Sequence, residues 1–382
     1  MSLLTFKGGV KPKAEKGRSE GAAIAPLGPP AQVAIPLAQH IGAPAKACVE
    51  AGDQVVVGQV VGEAGGFVSA PVHASVSGKV VAVEPRVGQQ GVSVPCVVLE
   101  NDGEDRTAEL DGLGAGWRDA DPTALKDRIA AAGLVGMGGA AFPTHVKLSP
   151  PPDKPIDALI LNGAECEPYL TADHRILLER SADVLEGLEI ARAVLGAKRA
   201  IVGIEENKPD AIEKLRAATA GTDVEVAVLK KKYPQGAEKQ LIDACLGRQV
   251  PSGGLPMDVG VVVQNVGTAA AIADAVVRGK PLYERVVTVT GASVGSPKNL
   301  LVRIGTPIAD ALADCDGDLE RAGKLICGGP MMGFAQRDTG ATVTKGTSGI
   351  LLLAEDEVDA REPNPCIRCG RCVDACPVRL VP

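Results

Sequence analysis

Four of the chain's ten cysteines, Cys366, Cys369, Cys372 and Cys376, fall in the last seventeen of 382 residues, and Pro377 follows the fourth. The spacing C-x2-C-x2-C-x3-C-P lets three thiolates wrap one cuboidal [4Fe–4S] cluster, while the fourth usually ligates a second cluster. A zinc site would need two separated pairs to close its tetrahedron. Iron–sulfur chemistry, and so one-electron transfer, is the expectation. No second run of this kind exists, and Cys166, Cys245, Cys315 and Cys327 stand alone. The segment is therefore expected to be an incomplete cluster motif, from a shortened version of a longer protein or one finished by a partner.

A second group of residues suits an anionic or nucleotide ligand. Gly136, Gly138 and Gly139 precede Phe142 and Lys147. Clustered glycines let backbone amides approach a phosphate, and a following lysine adds positive charge. A plain turn would use the same glycines, and the spacing is not that of the dinucleotide fingerprint. Fifteen residues on comes Asn162-Gly163-Ala164-Glu165-Cys166-Glu167-Pro168, at the carboxyl end of an apolar run expected to be a strand. Ligands of open α/β sheets bind at that edge. Asn162 offers a donor and an acceptor to a heterocycle. Glu165 and Glu167 could face a nicotinamide or a ribose, or be solvated loop charges.

Composition narrows the rest. Net charge is −7 and aromatics make up 2% of the chain, so base stacking and basic stripes, and with them nucleic acid, are excluded. Cysteines crowded at one end do not make a secreted disulfide scaffold. No run of about 18 apolar residues exists to span a bilayer, and the opening residues lack the apolar core of a signal peptide. A cytoplasmic protein with reduced thiols is expected. Lys7, Lys11, Lys13, Lys16 and Arg18 make the opening basic; they read as a solvated arm, or as a tether to an acidic partner or a membrane-bound complex.

The elements that must position these residues follow from apolar patterning. Residues 1–30 read as an irregular basic arm. Residues 31–105 hold short β-branched runs between glycines, which predicts a small all-β unit. Stretches 52–59 and 74–80 resemble the two halves of a biotinyl or lipoyl carrier barrel, although no lysine lies between Gln59 and Gly78 to carry a prosthetic group. Residues 101–122 read as a linker. From 120 to 280 strands and helices alternate: strands at 157–161, 200–204, 224–229 and 259–263, and helices at 173–195, 209–218, 238–246 and 268–277. Such alternation predicts a largely parallel sheet covered by helices. A small α+β unit at 281–340 and a linker with the cysteine segment at 341–382 complete an α/β multidomain chain.

Residues 136–147 and 162–168 resemble the flavin-binding core of the NADH-oxidising subunit of respiratory complex I, with its G-G-A-G-F-P-T-x-x-K and N-A-D-E-x-E-P motifs. The wider resemblance runs over nearly the whole chain, including Thr5-Phe6-Lys7-Gly8-Gly9-Val10, residues 39–44 and 69–73, and the terminal cysteines. It is to the family of peripheral C subunits of the Rnf complex, the ion-translocating ferredoxin:NAD oxidoreductase. The resemblance implies a lipoyl-like barrel-sandwich unit, a central FMN- and NAD(H)-binding domain, a β-grasp module that binds soluble ligands in relatives, and a ferredoxin-like segment. It implies non-covalent FMN exchanging hydride with NAD(H) and electrons with [4Fe–4S] clusters. Gly136, Gly138, Gly139, Phe142 and Lys147 would line the FMN, with Asn162 and Glu165 by the ring and Glu167 nearer the nicotinamide. Tyr233, Gly236 and Glu238 match Y-x-x-G-E-E, and Asn265 and Thr268 match N-N-V-E-T. Ala164, Gln264 and Gly267 depart from these motifs, and Ser149 and Pro150 replace an aromatic that clamps adenine in complex I. Glu165, Glu167 and Glu238 are the catalytic candidates. The implied setting is the cytoplasmic side of the cell membrane, reached through the other Rnf proteins, an iron–sulfur protein among them. A flavin and iron–sulfur cobalamin reductase of a microcompartment, or a non-catalytic docking scaffold, are the alternatives.

Overall fold

The computed structural model describes residues 3–381. After β1 (Ile24–Pro26), two small sheets face each other. One is built from β2 (Gln32–Pro36), β4 (Gln54–Val55), β7 (Gly78–Val87) and β8 (Ser93–Asn101), in the order β2-β8-β7-β4. The other has β3 (Lys46–Ala47), β5 (Val60–Glu63) and β6 (Val72–His73). Alternate residues of these strands point inward. Val33, Ile35, Val61, Val72, Val97 and Leu99 therefore make an aliphatic interior that needs no aromatic ring. Where a carrier would present a lysine, the tip bears Phe67, whose carbonyl lies 3.1 Å from His145 Nε2.

The central unit contains α1 (Pro122–Ala131), α2 (Thr144–Lys147), β9 (Ala158–Gly163), α3 (Ala172–Glu179), α4 (Ser181–Leu195), β10 (Arg199–Glu205), α5 (Pro209–Ala218), β11 (Val224–Leu229), α6 (Glu238–Leu246), β12 (Val261–Asn265) and α7 (Val266–Val277). Its sheet is fully parallel, in the order β11-β10-β9-β12. Both faces are covered, so the central strands read as unbroken apolar runs such as Leu159-Ile160-Leu161. Helices α4, α5 and α7 pack on one face and α6 on the other. The third unit adds β13 (Glu284–Thr290), β14 (Lys298–Arg303), β15 (Ala322–Cys327), β16 (Phe334–Gln336) and β17 (Gly349–Ala354). With β1 they form a six-stranded sheet, β1-β14-β13-β17-β15-β16, and α8 (Ile308–Asp314) packs against it. A short helix, α9 (Arg371–Ala375), carries the cysteine segment.

Four sequence expectations need correction. The opening segment is not a solvated arm: Leu4 bridges Leu229, Val10 bridges Tyr233, and β1 pairs with β14. Lys7, Lys11, Lys13 and Arg18 lie toward solvent, but Lys16 is only 5% exposed. The helix expected at 173–195 is two helices, because Arg180 leaves helical backbone geometry (φ −124°, ψ 28°) and its guanidinium holds Asp183 and Asp274. The linker at 101–122 is partly packed, with Trp117 buried and donating to Glu186 at 3.0 Å. The strand expected at 259–263 starts later, after a 3-10 turn over Pro256–Val259.

Helices α4 and α7 meet at Gly187, where a Cβ would stand 1.8 Å from the Ala269 carbonyl oxygen. Alanine favours a helix over glycine by about 1 kcal/mol, whereas forcing a methyl into a packed core costs about 1–3 kcal/mol. Gly187→Ala should therefore lower the urea midpoint despite its better helix propensity. A variant as stable as the parent would refute this contact.

Candidate functional site

The sheet brings the two asparagine motifs side by side. Asn162 near the carboxyl end of β9 is in register with Asn265 at the end of β12. Asn162 Nδ2 donates to the Gly236 carbonyl at 2.7 Å, and its Oδ1 accepts from the Ala164 amide at 3.1 Å. Asn265 caps α7, its Oδ1 accepting from the amides of Gly267 (2.8 Å) and Thr268 (3.2 Å). Thr268 Oγ1 in turn accepts from the Met137 amide at 2.9 Å, pinning the glycine loop to the start of α7. The loop closes on itself where the Gly136 amide donates to the Phe142 carbonyl. Gly138 is tight, since a Cβ there would lie 3.3 Å from Asn265 Cβ. Gly139, at φ +117°, would meet nothing. One side of the loop is thus held by the helix and the other is open.

Lys147, at the end of α2, donates to Glu238 Oε1 at 2.6 Å and to the Val263 carbonyl at 2.7 Å. Glu165 is buried; its Oε1 accepts from the Asp173 amide at 2.8 Å, and Lys16 Nζ stands 3.7 Å from its Oε2. Lys16 also donates to the carbonyls of Glu167 (3.0 Å) and Leu170. Glu167 turns toward the third unit, where it accepts from the Met331 amide at 3.0 Å, and burial raises its carboxyl above the usual range. Tyr233 pairs with Val10, and burial, together with the charge of Glu167, pushes its phenol up to about 12. The Gly236 amide donates to Cys166 Sγ at 3.3 Å, and burial pushes that thiol up to about 11. The structure thus gathers Asn162, Gly236, Asn265, Thr268 and the glycine loop into one network, and links Lys147 to Glu238.

Several buried polar atoms of these motifs have no hydrogen-bond partner: Thr144 Oγ1, Glu165 Oε2, Gln264 Nε2 and both amide atoms of Gln235. Orphans of this kind, beside a glycine loop open at Gly139, fit a ligand rich in hydrogen-bonding groups such as FMN.

Sequence reasoning missed four charged residues behind the loop. Asp173 accepts from Asn265 Nδ2 at 2.7 Å, and burial together with the Glu165 charge pushes its carboxyl up to about 7. Arg285, on β13, reaches the Met137 carbonyl at 3.3 Å and the Lys345 carbonyl; burial brings its guanidinium down to about 10. Lys345 Nζ donates to the carbonyls of Pro71 and Gly133, both at 2.7 Å. The fourth is Lys16, hidden in a segment whose other cations lie toward solvent. Only Asp173 left a signal, as an acid opening an expected helix.

The cysteine segment lies apart from this network. Cys366, Cys369 and Cys372 are exposed and Cys376 is half-buried, all as thiols. Among the described residues no three His, Cys, Asp or Glu side chains converge on a metal position. The donor set nevertheless fits a thiolate-bound cluster in kind. The Arg368 amide donates to Cys366 Sγ and the Leu380 amide to Cys376 Sγ, each at 3.4 Å. Left-handed backbone at Arg368 (φ +57°) and Gly370 (φ +74°) curls the chain.

Comparison with known proteins follows the same division. Residues 4–104 match the RnfC Barrel sandwich hybrid domain, 129–274 the Nuo51 FMN-binding domain and 286–335 the SLBB domain. The molecule is therefore an oxidoreductase component built around an FMN-binding domain. Over 382 residues it is 50% identical to the C component of the proton-translocating ferredoxin:NAD(+) oxidoreductase complex of Clostridium ljungdahlii, covering 100% of this chain and 83% of that one. It is equally similar, 50% over 382 residues, to the corresponding component of the Na(+)-translocating complex of Acetobacterium woodii, covering 99% and 86%. The chain belongs to the RnfC family, the C components of ion-translocating ferredoxin:NAD(+) oxidoreductase complexes. Among solved structures, an NAD+-reducing [NiFe]-hydrogenase in the H2-reduced state shares the fold, with TM-score 0.50 and 22% identity over 63% of this chain and 49% of that one.

Lys345 gives the loop's support a pH signature. Burial lowers its amine from 10.5 to about 7. Between those values the unfolded chain holds a proton that the folded chain has released, so stability rises with pH over that window. Denaturant titrations from about pH 7 to 9 should show this rise, and Lys345→Met should flatten it. An unchanged slope in the variant would assign the dependence elsewhere.

Proposed function

We propose that this chain is the peripheral flavin subunit of a membrane-bound ferredoxin:NAD oxidoreductase coupled to ion transport, carrying electrons between NAD(H) and [4Fe–4S] clusters. The observation that carries the reading is the network joining Asn162, Asn265, Thr268 and the glycine loop at the carboxyl edge of a parallel sheet. Hydride carriers move two electrons and clusters move one, and bound FMN supplies the chemistry that joins the two.

The chain's own residues bind and orient. The Gly136 amide closes the loop on Phe142, and the amides at Gly138 and Gly139, with the amino end of α7 behind them, favour an anionic group. Lys147 adds a cation that Glu238 and the Val263 carbonyl hold in place. Asn162 presents its amide to the ring, anchored by Gly236. Phe142 and Tyr233 are the aromatic surfaces left for a nicotinamide nucleotide. Glu165 orders the start of α3 through Asp173, and Glu167 ties the flavin motif to the loop at Met331. Cys366, Cys369, Cys372 and Cys376 would hold iron–sulfur cluster irons, which supply one-electron transfer when bound. We read the third unit as a β-grasp module and the cysteine segment as ferredoxin-like.

No described helix is long and apolar enough to cross a membrane. We place the chain on the cytoplasmic face, held by partner proteins that include an iron–sulfur protein. A cobalamin reductase shares only the middle motifs, whereas the relatives of this chain match the barrel unit as well.

Anaerobically purified protein should show flavin absorbance, or gain it on addition of FMN. Losing a hydrogen bond to a charged or buried group costs about 1.5–3 kcal/mol, so Asn162→Ala or Lys147→Ala should weaken FMN retention by roughly ten- to a hundredfold. Lys13→Ala should not. Absence of flavin binding would end this reading, and bound FMN that NADH cannot reduce would favour a docking scaffold.

A further inference from the structure

The opening segment does more than cover an edge. Its Leu4 extends the parallel sheet beyond β11, with the Leu4 amide donating to Val228 and the Lys230 amide to Leu4. Lys232 then locks it, its buried ammonium 3.6 Å from the centre of the Phe6 ring and donating to the carbonyls of Phe6 and Gly8. At Val10 the segment makes a reciprocal pair of hydrogen bonds with Tyr233, both 2.8 Å. Between these anchors, the Gly9 amide donates to the Ala375 carbonyl at 2.7 Å, in the stretch between Cys372 and Cys376.

Both glycines are required by this arrangement. Gly8 (φ +85°) would place a Cβ 2.9 Å from the Ala375 oxygen and 3.3 Å from Pro377 Cα. Gly9 (φ +87°) would place one 2.8 Å from the Tyr233 oxygen. A left-handed pair without side chains lets one strand touch the flavin motif on one side and the cysteine helix on the other.

We propose that residues 6–10, with Lys232, form a clamp that positions the cysteine segment at a fixed place beside Tyr233. Gly8, Gly9, Phe6 and Lys232 are positioning residues in this reading, which rests on the cysteines holding a cluster. The clamp itself is made of backbone and side-chain contacts present in the chain without metal. Its geometry makes the path from Cys376 to the flavin motif short: one peptide unit to Ala375, one hydrogen bond to Gly9, and one residue to Val10 and its bonds with Tyr233.

Hydrogen exchange on the full, metal-free chain tests the clamp independently of any cluster. In Gly8→Ala and Lys232→Met, the hydrogen-bonded amides of Val373, Asp374 and Cys376 should exchange about tenfold faster or more, as local opening is eased. Lys232→Arg, which retains a cation over Phe6, should restore much of the protection. Gly21→Ala, whose Cβ would meet nothing, should match the parent. FMN retention should be unchanged in every variant. In protein reconstituted with FMN, iron and sulfide, freeze-quench spectroscopy should show slower flavin-to-cluster transfer in Gly8→Ala and Lys232→Met, with NADH-to-flavin reduction unchanged. Equal exchange in parent and both variants would overturn the clamp. If Gly8→Ala loses its fold, Lys232→Met and its Arg counterpart decide the matter. Failure to assemble a cluster, with exchange changed as expected, would overturn the reading of the cysteines and leave the clamp standing.

Discussion

Two buried basic side chains hold the glycine loop from behind. Arg285 comes from the third unit, 4% exposed, and reaches a loop carbonyl at Met137. Lys345, 1% exposed, joins Pro71 of the barrel unit to Gly133 of the central unit. Its backbone amide adds a third tie, donating to Gln39 Oε1 of the barrel. Polar groups taken so far from water are costly unless their donors are satisfied, so both must find several carbonyls in fixed places. Their demands tie three units to one loop. A backbone rich in glycine loses more entropy on ordering than any other. The loop is therefore ordered by its surroundings, and its open side is left for a ligand.

The acidic counterpart is Asp173, close enough to Arg285 for their charges to interact. The Glu165 charge disfavours ionisation of Asp173, while Arg285 and the Asn265 amide oppose that effect. Lys16 faces Glu165 itself. This balance keeps a polar network intact beneath an apolar sheet edge, where a single unpaired carboxylate would be destabilising. It also places fixed charge beneath the site proposed for the flavin, where the surrounding dielectric is low and charge acts strongly.

Much of this was legible in the chain. The strands and helices of the central unit follow from alternating apolar periods, and Asn162 and Asn265 end strands that periodicity could locate. The glycine loop was legible as a loop, and Lys147 as its cation. Their convergence was not, because register between β9 and β12 is a tertiary fact. Lys16, Arg285 and Lys345 were illegible for a different reason. Composition treats a lysine or arginine as surface, and nothing local marks one whose carbonyl partners lie in distant segments. The break at Arg180 was hidden as well, since the apolar stripe runs through it and only the pairing with Asp274 on α7 explains the turn.

The opening thirty residues show why unit boundaries understate the coupling here. Leu4 lengthens the central sheet, Lys16 enters the flavin motif, and β1 becomes an edge strand of the third unit before the barrel begins. Ser19 adds a bond to Thr171, and Asn299 of β14 donates to the Ser19 carbonyl, so the segment is stitched to both neighbours through buried groups. A tether that only joined two folded bodies would not need such contacts. In the transfer proposed between flavin and cluster, distance would matter, and a segment stitched to both units limits the freedom by which it could vary. The cost is modularity: the central domain and the third unit each lack part of their own edge without it.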